Sequence, residues 1–422
     1  MRRPGITRDR LRAMAAATCA ALASLLGTVS APAALAAVPA TNSVFHPLSV
    51  TFVSLTRGWA LGTVPCKSAG ACLALRETTN AGHTWAARPL PAKLVRDADR
   101  TITNGLPNAS PGSVRLPAAL YGPYGLEVRF ADARDGWIYG GLPSSAGSLE
   151  AVLWSTHDGG ATWHHLAVLP GDLRRYDGVV FDLEAAGGTA YLMAPNNSNG
   201  VSVESSPVGS DNWRPDTTPP LRNPAGGGQQ SGAILLQGTR GWLLEGNDRG
   251  VTGSAQLLTT GKTKWSSWAP PCAQVGNSFF VPAASTATNL VAVCQMGGFA
   301  YPLSKSAPPG ARLGSYWLYV SKNGGASFSA SRPLGGTSYP FSGPLASSSP
   351  SHIFLGYGAH ELLASFNSGR TWASVYKADF FYLGFTSPTQ GVGLAWSSPP
   401  NRATTRMVMT FDGGRHWAPV VF

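Results

Sequence analysis

Beyond residue 45 the chain alternates short apolar runs with tight polar turns, the pattern of strands rather than helices. Phe52 to Gly62 reads FVSLTRGWALG, Phe130 to Gly140 reads FADARDGWIYG, and Leu236 to Gly246 reads LQGTRGWLLEG. Each is a strand, a turn containing Gly, and a second strand. Weaker versions occupy 181–192, 280–293, 345–356 and 385–394. Helical periodicity is almost absent beyond the N-terminal region. Segments 91–125, 215–232 and 302–314 are therefore expected to be loops, with strand signals resuming after each.

A second motif follows each strand pair: Thr/Ser-x-Asp/Asn-x-Gly-x-Thr/Ser-Trp. Full copies run from Thr78 to Trp85, Thr156 to Trp163, Ser321 to Phe328, Ser365 to Trp372 and Thr410 to Trp417. Eroded copies end at Trp213 and Trp265. The closing aromatics are spaced 78, 50, 52, 63, 44 and 45 residues apart. A period of this size signals a repeat architecture, which overrides the multidomain expectation from length. The key residues are Asn80, Asp158, Asn323, Asn367 and Asp412, with the aromatics Trp85, Trp163, Phe328, Trp372 and Trp417. The Asx side chain can accept backbone N–H groups and fix a tight turn, Gly supplies unusual backbone angles, and the aromatic packs between units. Seven repetitions make this motif structural rather than catalytic.

These residues resemble the Asp-box, or BNR, repeats of sialidase-like β-propellers. The G-W strand followed by such a box is also similar to propellers of photosystem II assembly factors. The resemblance implies an all-β fold: a seven-bladed β-propeller of four-stranded antiparallel blades with Asp-box turns. It says little about function, because enzymes and binding proteins share these boxes.

The N-terminus precedes the repeats. Arg2, Arg3, Arg8, Arg10 and Arg12 are followed by an apolar stretch and by Ala34-Leu35-Ala36, which fits a cleavage site. Residues 1–36 are read as a signal peptide and 37–422 as a single propeller domain, secreted or in the cell envelope, of bacterial type. No second long apolar stretch follows, so no transmembrane anchor is expected. Removing the leader's five arginines and Asp9 lowers the net charge from +11 to +7. No dense Lys/Arg run tracks phosphates, which argues against nucleic acid. Cys66, Cys72, Cys272 and Cys294 remain, an even number suited to an oxidising compartment. Spacing favours Cys66–Cys72 and Cys272–Cys294 without excluding other pairings. No His/Cys cluster has metal-ligand spacing and no cofactor motif appears. A monomer is expected.

In such a blade the boxes share one rim with the turns between first and second strands. The long connections collect on the other rim: 91–125, 297–314 and 397–406. That rim is the expected binding face. Its candidates are Arg115, Tyr121, Tyr124, Tyr301, Arg312, Arg402 and Arg406, residue types favoured at binding surfaces. Glu127 and Arg129 alternate with Val128 and Phe130 on an innermost strand, so both face one side. They are the weak catalytic candidates.

Two functions compete. One is a non-enzymatic propeller that binds a protein, peptide or glycan through its loop-rich face. The other is an exo-sialidase-like or other glycoside hydrolase, which needs two carboxyl groups about 5–10 Å apart. The sialidase resemblance adds three convergent arginines and a Tyr/Glu pair. Its Arg-Ile-Pro motif should precede the first box, whereas Arg115-Leu116-Pro117 follows it. Scarce acidic residues on the loop-rich rim favour the binder.

Overall fold

The computed structural model describes residues 45–66, 70–104, 125–143, 149–166, 179–195, 200–216, 221–222, 230–247, 255–259, 265–268, 270–274, 280–296, 307–312, 314–334, 343–357, 360–397 and 404–422. They lie in one compact unit, Ser43–Phe422. Their strands pair into seven antiparallel sheets, each contributed by one continuous stretch of chain.

The first sheet is β1 (His46–Phe52), β2 (Gly58–Cys66), β3 (Gly70–Thr78) and β4 (Ala86–Arg88); helix α1 (Ala92–Asn104) follows it. The second is β5 (Glu127–Phe130), β6 (Gly136–Pro143), β7 (Leu149–Thr156) and β8 (His164–His165). The third is β9 (Asp182–Ala186), β10 (Thr189–Pro195), β11 (Gly200–Pro207) and β12 (Arg214–Pro215), with β13 (Leu221–Arg222) added beside β11. The fourth is β14 (Gln230–Gln237), β15 (Arg240–Asn247), β16 (Ala255–Thr259) and β17 (Ser266–Trp268). A short helix, α2 (Pro271–Gln274), leads to the fifth: β18 (Phe280–Ala284), β19 (Leu290–Gln295), β20 (Tyr316–Ser321) and β21 (Ser329–Leu334). The sixth is β22 (Leu345–Ser349), β23 (His352–Tyr357), β24 (Glu361–Ser365) and β25 (Ala373–Tyr376). The seventh is β26 (Phe380–Phe385), β27 (Gly391–Trp396), β28 (Thr405–Thr410) and β29 (Ala418–Pro419).

The strand pair has a local steric logic. Phe52 lies opposite Gly58, Phe130 opposite Gly136, and Phe385 opposite Gly391. A Cβ on Gly58 would stand 2.6 Å from the Phe52 ring, and one on Gly136 would stand 2.4 Å from the Phe130 ring. Glycine is needed because the cross-strand ring lies over its backbone.

Both faces of a middle strand are buried. On β2, Trp59 and Leu61 join a cluster with the second sheet, while Ala60 joins one with the seventh. Period-two alternation thus serves two neighbours. Seven such clusters each join two successive sheets, and the last joins the seventh sheet back to the first. The first strands touch in succession around the centre, β1 to β5 to β9 to β14 to β18 to β22 to β26, with β1 also against β27 and β28. The sheets therefore close a cycle around their first strands.

Among the described residues no strand is shared at the closing seam. Phe45 packs on Phe422 with ring centroids 4.4 Å apart. The Thr405 hydroxyl donates to the Pro47 carbonyl at 2.6 Å, and the Gln390 amide donates to the Leu55 carbonyl at 2.7 Å.

Helix α1 corrects the expectation of a loop across 91–125. Its core-facing side chains are Leu94 and Ala98, one turn apart, buried with Leu73, Leu75 and Leu142. The Asp99 carboxylate accepts the Leu73 N–H at 3.3 Å. The outer face is charged, with Asp97 paired to Lys93 and Arg100. In the sequence Leu94, Val95, Ala98 and Ile102 recur at helical spacing, a single short segment among many strand signals. Residues 105–124 lie outside the described residues.

Disulfides join Cys66 to Cys72 and Cys272 to Cys294. The first ties β2 to β3, and the second ties α2 to the end of β19. Among the described residues no helix is long and apolar enough to cross a membrane.

Candidate functional site

The two rims differ in chemistry. On one rim the repeated turns satisfy their own polar groups. In the second sheet the Thr156 hydroxyl donates to Asp158 at 2.9 Å and accepts the Gly160 N–H at 2.9 Å. Asp158 also accepts the N–H of Ala161 and of Thr162, and the Thr162 hydroxyl at 2.6 Å. The same core of bonds recurs at Asn80, Asn323, Asn367 and Asp412. The Gly at the fifth position has φ between 81° and 89° in all five turns, which a side chain would resist. Burial alone would raise the Asp158 acid, but donors from Thr162, Thr156 and Ala161 outweigh it and pull it down to about 2. Each turn also bonds to the first hairpin of its own sheet, as Gly159 N–H does to the Arg134 carbonyl at 2.8 Å. These turns and the first hairpins therefore share a rim.

The opposite ends of the central strands carry a different arrangement. Val128 and Phe130 are buried against the first sheet, so Glu127 and Arg129 turn toward the third. The Tyr139 hydroxyl lies 3.0 Å from Glu127 Oε2 and 3.3 Å from Asp182 Oδ1. Arg129 Nη2 lies 2.7 Å from Glu184 Oε1. Arg129 also hydrogen-bonds Tyr382, which reaches across from β26 of the seventh sheet. Asp182 accepts the N–H of Ile234 on β14 at 2.7 Å and that of Leu183 at 2.8 Å. Four sheets thus contribute to one axial cluster. Glu127 and Asp182 begin their strands, so the cluster lies toward the rim bearing the long connections.

Three carboxyl groups, one guanidinium and two phenols share this little-hydrated site. Burial raises the Glu127 acid, and Asp182 adds to this, while Arg129 and Tyr139 oppose it. Asp182 and Glu184 are raised by burial for the same reason, against the pull of Arg129. Burial disfavours the Arg129 charge, but Glu184, Tyr139, Tyr382 and Asp182 more than restore it and hold it well above its ordinary range. Tyr139, only 1% exposed, is pushed well up by burial and then by Glu127 and Asp182. Its phenol is a hydrogen-bond donor here, poorly suited to ionising. One cation faces three acids, so the cluster is suited to retain a proton near neutrality or to accept cationic and hydroxyl donors.

Glu127 and Arg129 are brought together in this cluster. Tyr139, Asp182, Glu184 and Tyr382 escaped the sequence reading, although Asp182 and Glu184 show the same i, i+2 alternation. Arg115, Tyr121, Tyr124, Tyr301 and Arg402 lie outside the described residues. Arg312 is exposed in its connection. Arg406 lies on β28, not in the preceding loop, with its guanidinium 5.4 Å from the Tyr376 ring centroid and bonded to the Lys377 carbonyl. No group of His, Cys, Asp and Glu suited to a metal occurs among the described residues.

No family model matches the chain, and no curated protein matches it. Solved structures do. YCF48 bound to D1 peptide aligns with a TM-score of 0.51 at 17% identity, covering 88% of this chain and 94% of that one. YCF48 from Cyanidioschyzon merolae aligns with a TM-score of 0.53 at 16% identity, covering 88% and 97%. A polysaccharide lyase, the PL25 ulvan lyase, aligns with a TM-score of 0.50 at 11% identity, covering 90% and 95%. At these identities the likeness is one of fold, and the fold is a β-propeller.

Proposed function

We propose that this chain is an exported, seven-bladed propeller with Asp-box turns that binds a peptide or protein segment at the end of its central axis away from those turns and catalyses no reaction. The observation that carries the reading is the axial cluster of Glu127, Arg129, Tyr139, Asp182, Glu184 and Tyr382. Its six side chains come from three sheets and meet at one place, toward the end of the central strands away from the repeated turns. The opposite rim carries the five full repeated turns, whose Asp or Asn, Thr or Ser and backbone groups bond one another. A propeller of similar fold has been captured with a peptide, which supports this class of ligand.

Glycoside hydrolysis is the second reading, favoured by the Tyr139–Glu127 contact. Against it, the raised Tyr139 phenol makes a poor nucleophile, and Arg129 is the one arginine in the cluster among the described residues. A peptide library and a glycan array, probed with the full chain and with an Arg129→Gln/Glu184→Gln variant of unchanged net charge, separate the readings. Peptide capture weakened about tenfold or more in the variant, about 1.4 kcal/mol, supports the proposal. Turnover of aryl sialosides or other aryl glycosides that Glu127→Gln abolishes would overturn it. Selective glycan capture without turnover would overturn the peptide assignment.

A further inference from the structure

The seam between the second and third sheets carries a second polar joint, on the rim away from the axial cluster. His157 sits in the repeated turn of the second sheet. Its Nδ1 is 2.7 Å from Asp135 Oδ1, in the β5–β6 turn of the same sheet. Its Nε2 is 3.3 Å from Asp211 Oδ2, in the β11–β12 turn of the third sheet. Ionised carboxylates only accept hydrogen bonds. A neutral imidazole has one N–H and can satisfy one of these partners, whereas an imidazolium satisfies both. The Ser155 hydroxyl donates to the same Asp211 oxygen at 2.7 Å, which holds that carboxylate in place.

The other charged groups around His157, among the described residues, leave this balance intact. Asp158 in its own turn is engaged by Thr156, Ala161 and Thr162. Asp132 accepts the backbone N–H of Arg134 and of Asp135. The Arg134 guanidinium donates to the His157 carbonyl at 3.3 Å, and the His164 ring on β8 is centred 6.3 Å from the His157 ring.

The same flank of the third sheet holds Glu204 on β11, directly across from Leu192 of β10, 2% exposed and with one carboxyl oxygen lacking a hydrogen-bond partner. Its charged neighbour is Asp216, which is itself bonded to the Ser205 hydroxyl and the Trp265 indole. A neutral acid fits this place; a second buried anion beside Asp216 does not.

We propose that protons lock the third sheet onto the second: His157 as an imidazolium bridging Asp135 and Asp211 across the seam, and Glu204 as a neutral acid buried on the same flank. This seam loosens as mildly acidic surroundings become mildly alkaline. The direction is the same for each group. Asp135 and Asp211 raise the folded-state pKa of His157 against the effect of burial, so its stabilisation is full below the ordinary histidine range and is lost as pH rises through the raised value. Burial, then Asp216, pushes Glu204 up to about 7, so its stabilisation is full below the ordinary carboxylate range and is lost as pH rises through about 7. The proposal does not depend on which ligand the protein takes.

Hydrogen exchange of the full chain, corrected for intrinsic rates, tests this between about pH 6 and about pH 8.5. Protection of β9–β12 is expected to fall about tenfold more than that of β22–β25 across the interval. His157→Gln is expected to start low and to lose most of that pH dependence, and Glu204→Gln to retain protection at the alkaline end. Equal change in the two sheets, or wild-type pH dependence in both variants, overturns the proposal. The His157 ring-proton titration, followed by NMR in the unaltered protein, gives an answer even where a variant does not fold. A midpoint above the ordinary histidine value is expected, and one at or below it overturns the lock.

Discussion

The indole N–H of Trp59, on the first sheet, donates at 3.2 Å to the backbone carbonyl of Gly159, inside the repeated turn of the second. Trp242 on the fourth sheet makes the same bond, at 3.2 Å, to Gly324 in the turn of the fifth. The Trp of a G-W strand therefore serves the neighbouring sheet. Trp137 occupies the equivalent place on the second sheet, yet its indole nitrogen is buried without a partner. Its neighbour is the third sheet, whose turn, SPVGSDNW, is eroded.

This contrast sets an internal control. Trp59→Phe and Trp242→Phe are each expected to cost about 1 kcal/mol beyond the loss of ring area, because a buried carbonyl loses its donor. Trp137→Phe is expected to lose only the ring-area part. Urea unfolding midpoints of the three variants, compared at constant slope, check the difference.

Asp158→Ala removes the acceptor for three groups in its turn and for the Thr156 hydroxyl, and is expected to cost about 2 kcal/mol. Asp158→Asn is expected to cost less, since Asn already fills this place at 80, 323 and 367. The Asp158 acid is lowered on folding, so the carboxylate's advantage is present above its unfolded value and fades as pH falls toward about 2. Unfolding curves for the native chain and Asp158→Asn should therefore converge in acid.

In the axial cluster, Arg129→Met leaves three carboxyl groups without their cation. A loss of about 3–5 kcal/mol is expected, as for breaking a buried ion pair from one side. All three acids are raised on folding, so ionising them opposes the fold, and the defect should deepen as pH rises above neutrality. Denaturant unfolding near pH 6 and near pH 8.5 reads the sign. Adding Glu184→Gln should recover part of the loss.

The two disulfides should differ in worth. Cys272–Cys294 spans 22 residues and Cys66–Cys72 spans 6. Loop entropy puts their contributions at about 3 and about 2 kcal/mol. Thermal melts of the two double-alanine variants should fall in that order, and reductant should remove the difference between the native chain and the variants.

The sheets were legible because each repeat states its turn chemistry outright. Phe130, Gly136, Asp158 and Trp163 mark strand end, strand start, turn and packing in one unit, and the cycle follows from repetition. Helix α1 was legible in the recurrence of Leu94, Val95, Ala98 and Ile102 at helical spacing, but three turns are easily passed over between a Pro-rich start and a Gly/Pro-rich continuation in a chain whose other segments read as strands. The axial cluster was half legible. Glu127 and Arg129 stood out as charges alternating with apolar residues. Their partners come from strands up to 255 residues away in sequence, as Tyr382 does from Glu127, and only the curvature of the ring brings them together.

The side-chain seam between the first and seventh sheets has a kinetic consequence. Every other joint in the ring links sheets that follow one another in the chain, so folding can proceed by short closures in sequence order. The bonds from Gln390 to Leu55 and from Thr405 to Pro47 join residues 335 and 358 positions apart. The added entropic cost over closing one repeat is only about 2 kcal/mol, because closure entropy grows with the logarithm of length. An open chain of stacked sheets is thus the natural species just before completion, and docking of Phe45 onto Phe422 is the late event that turns a stack into a ring. Substitution of Phe422 should therefore speed unfolding while leaving the folding rate nearly unchanged.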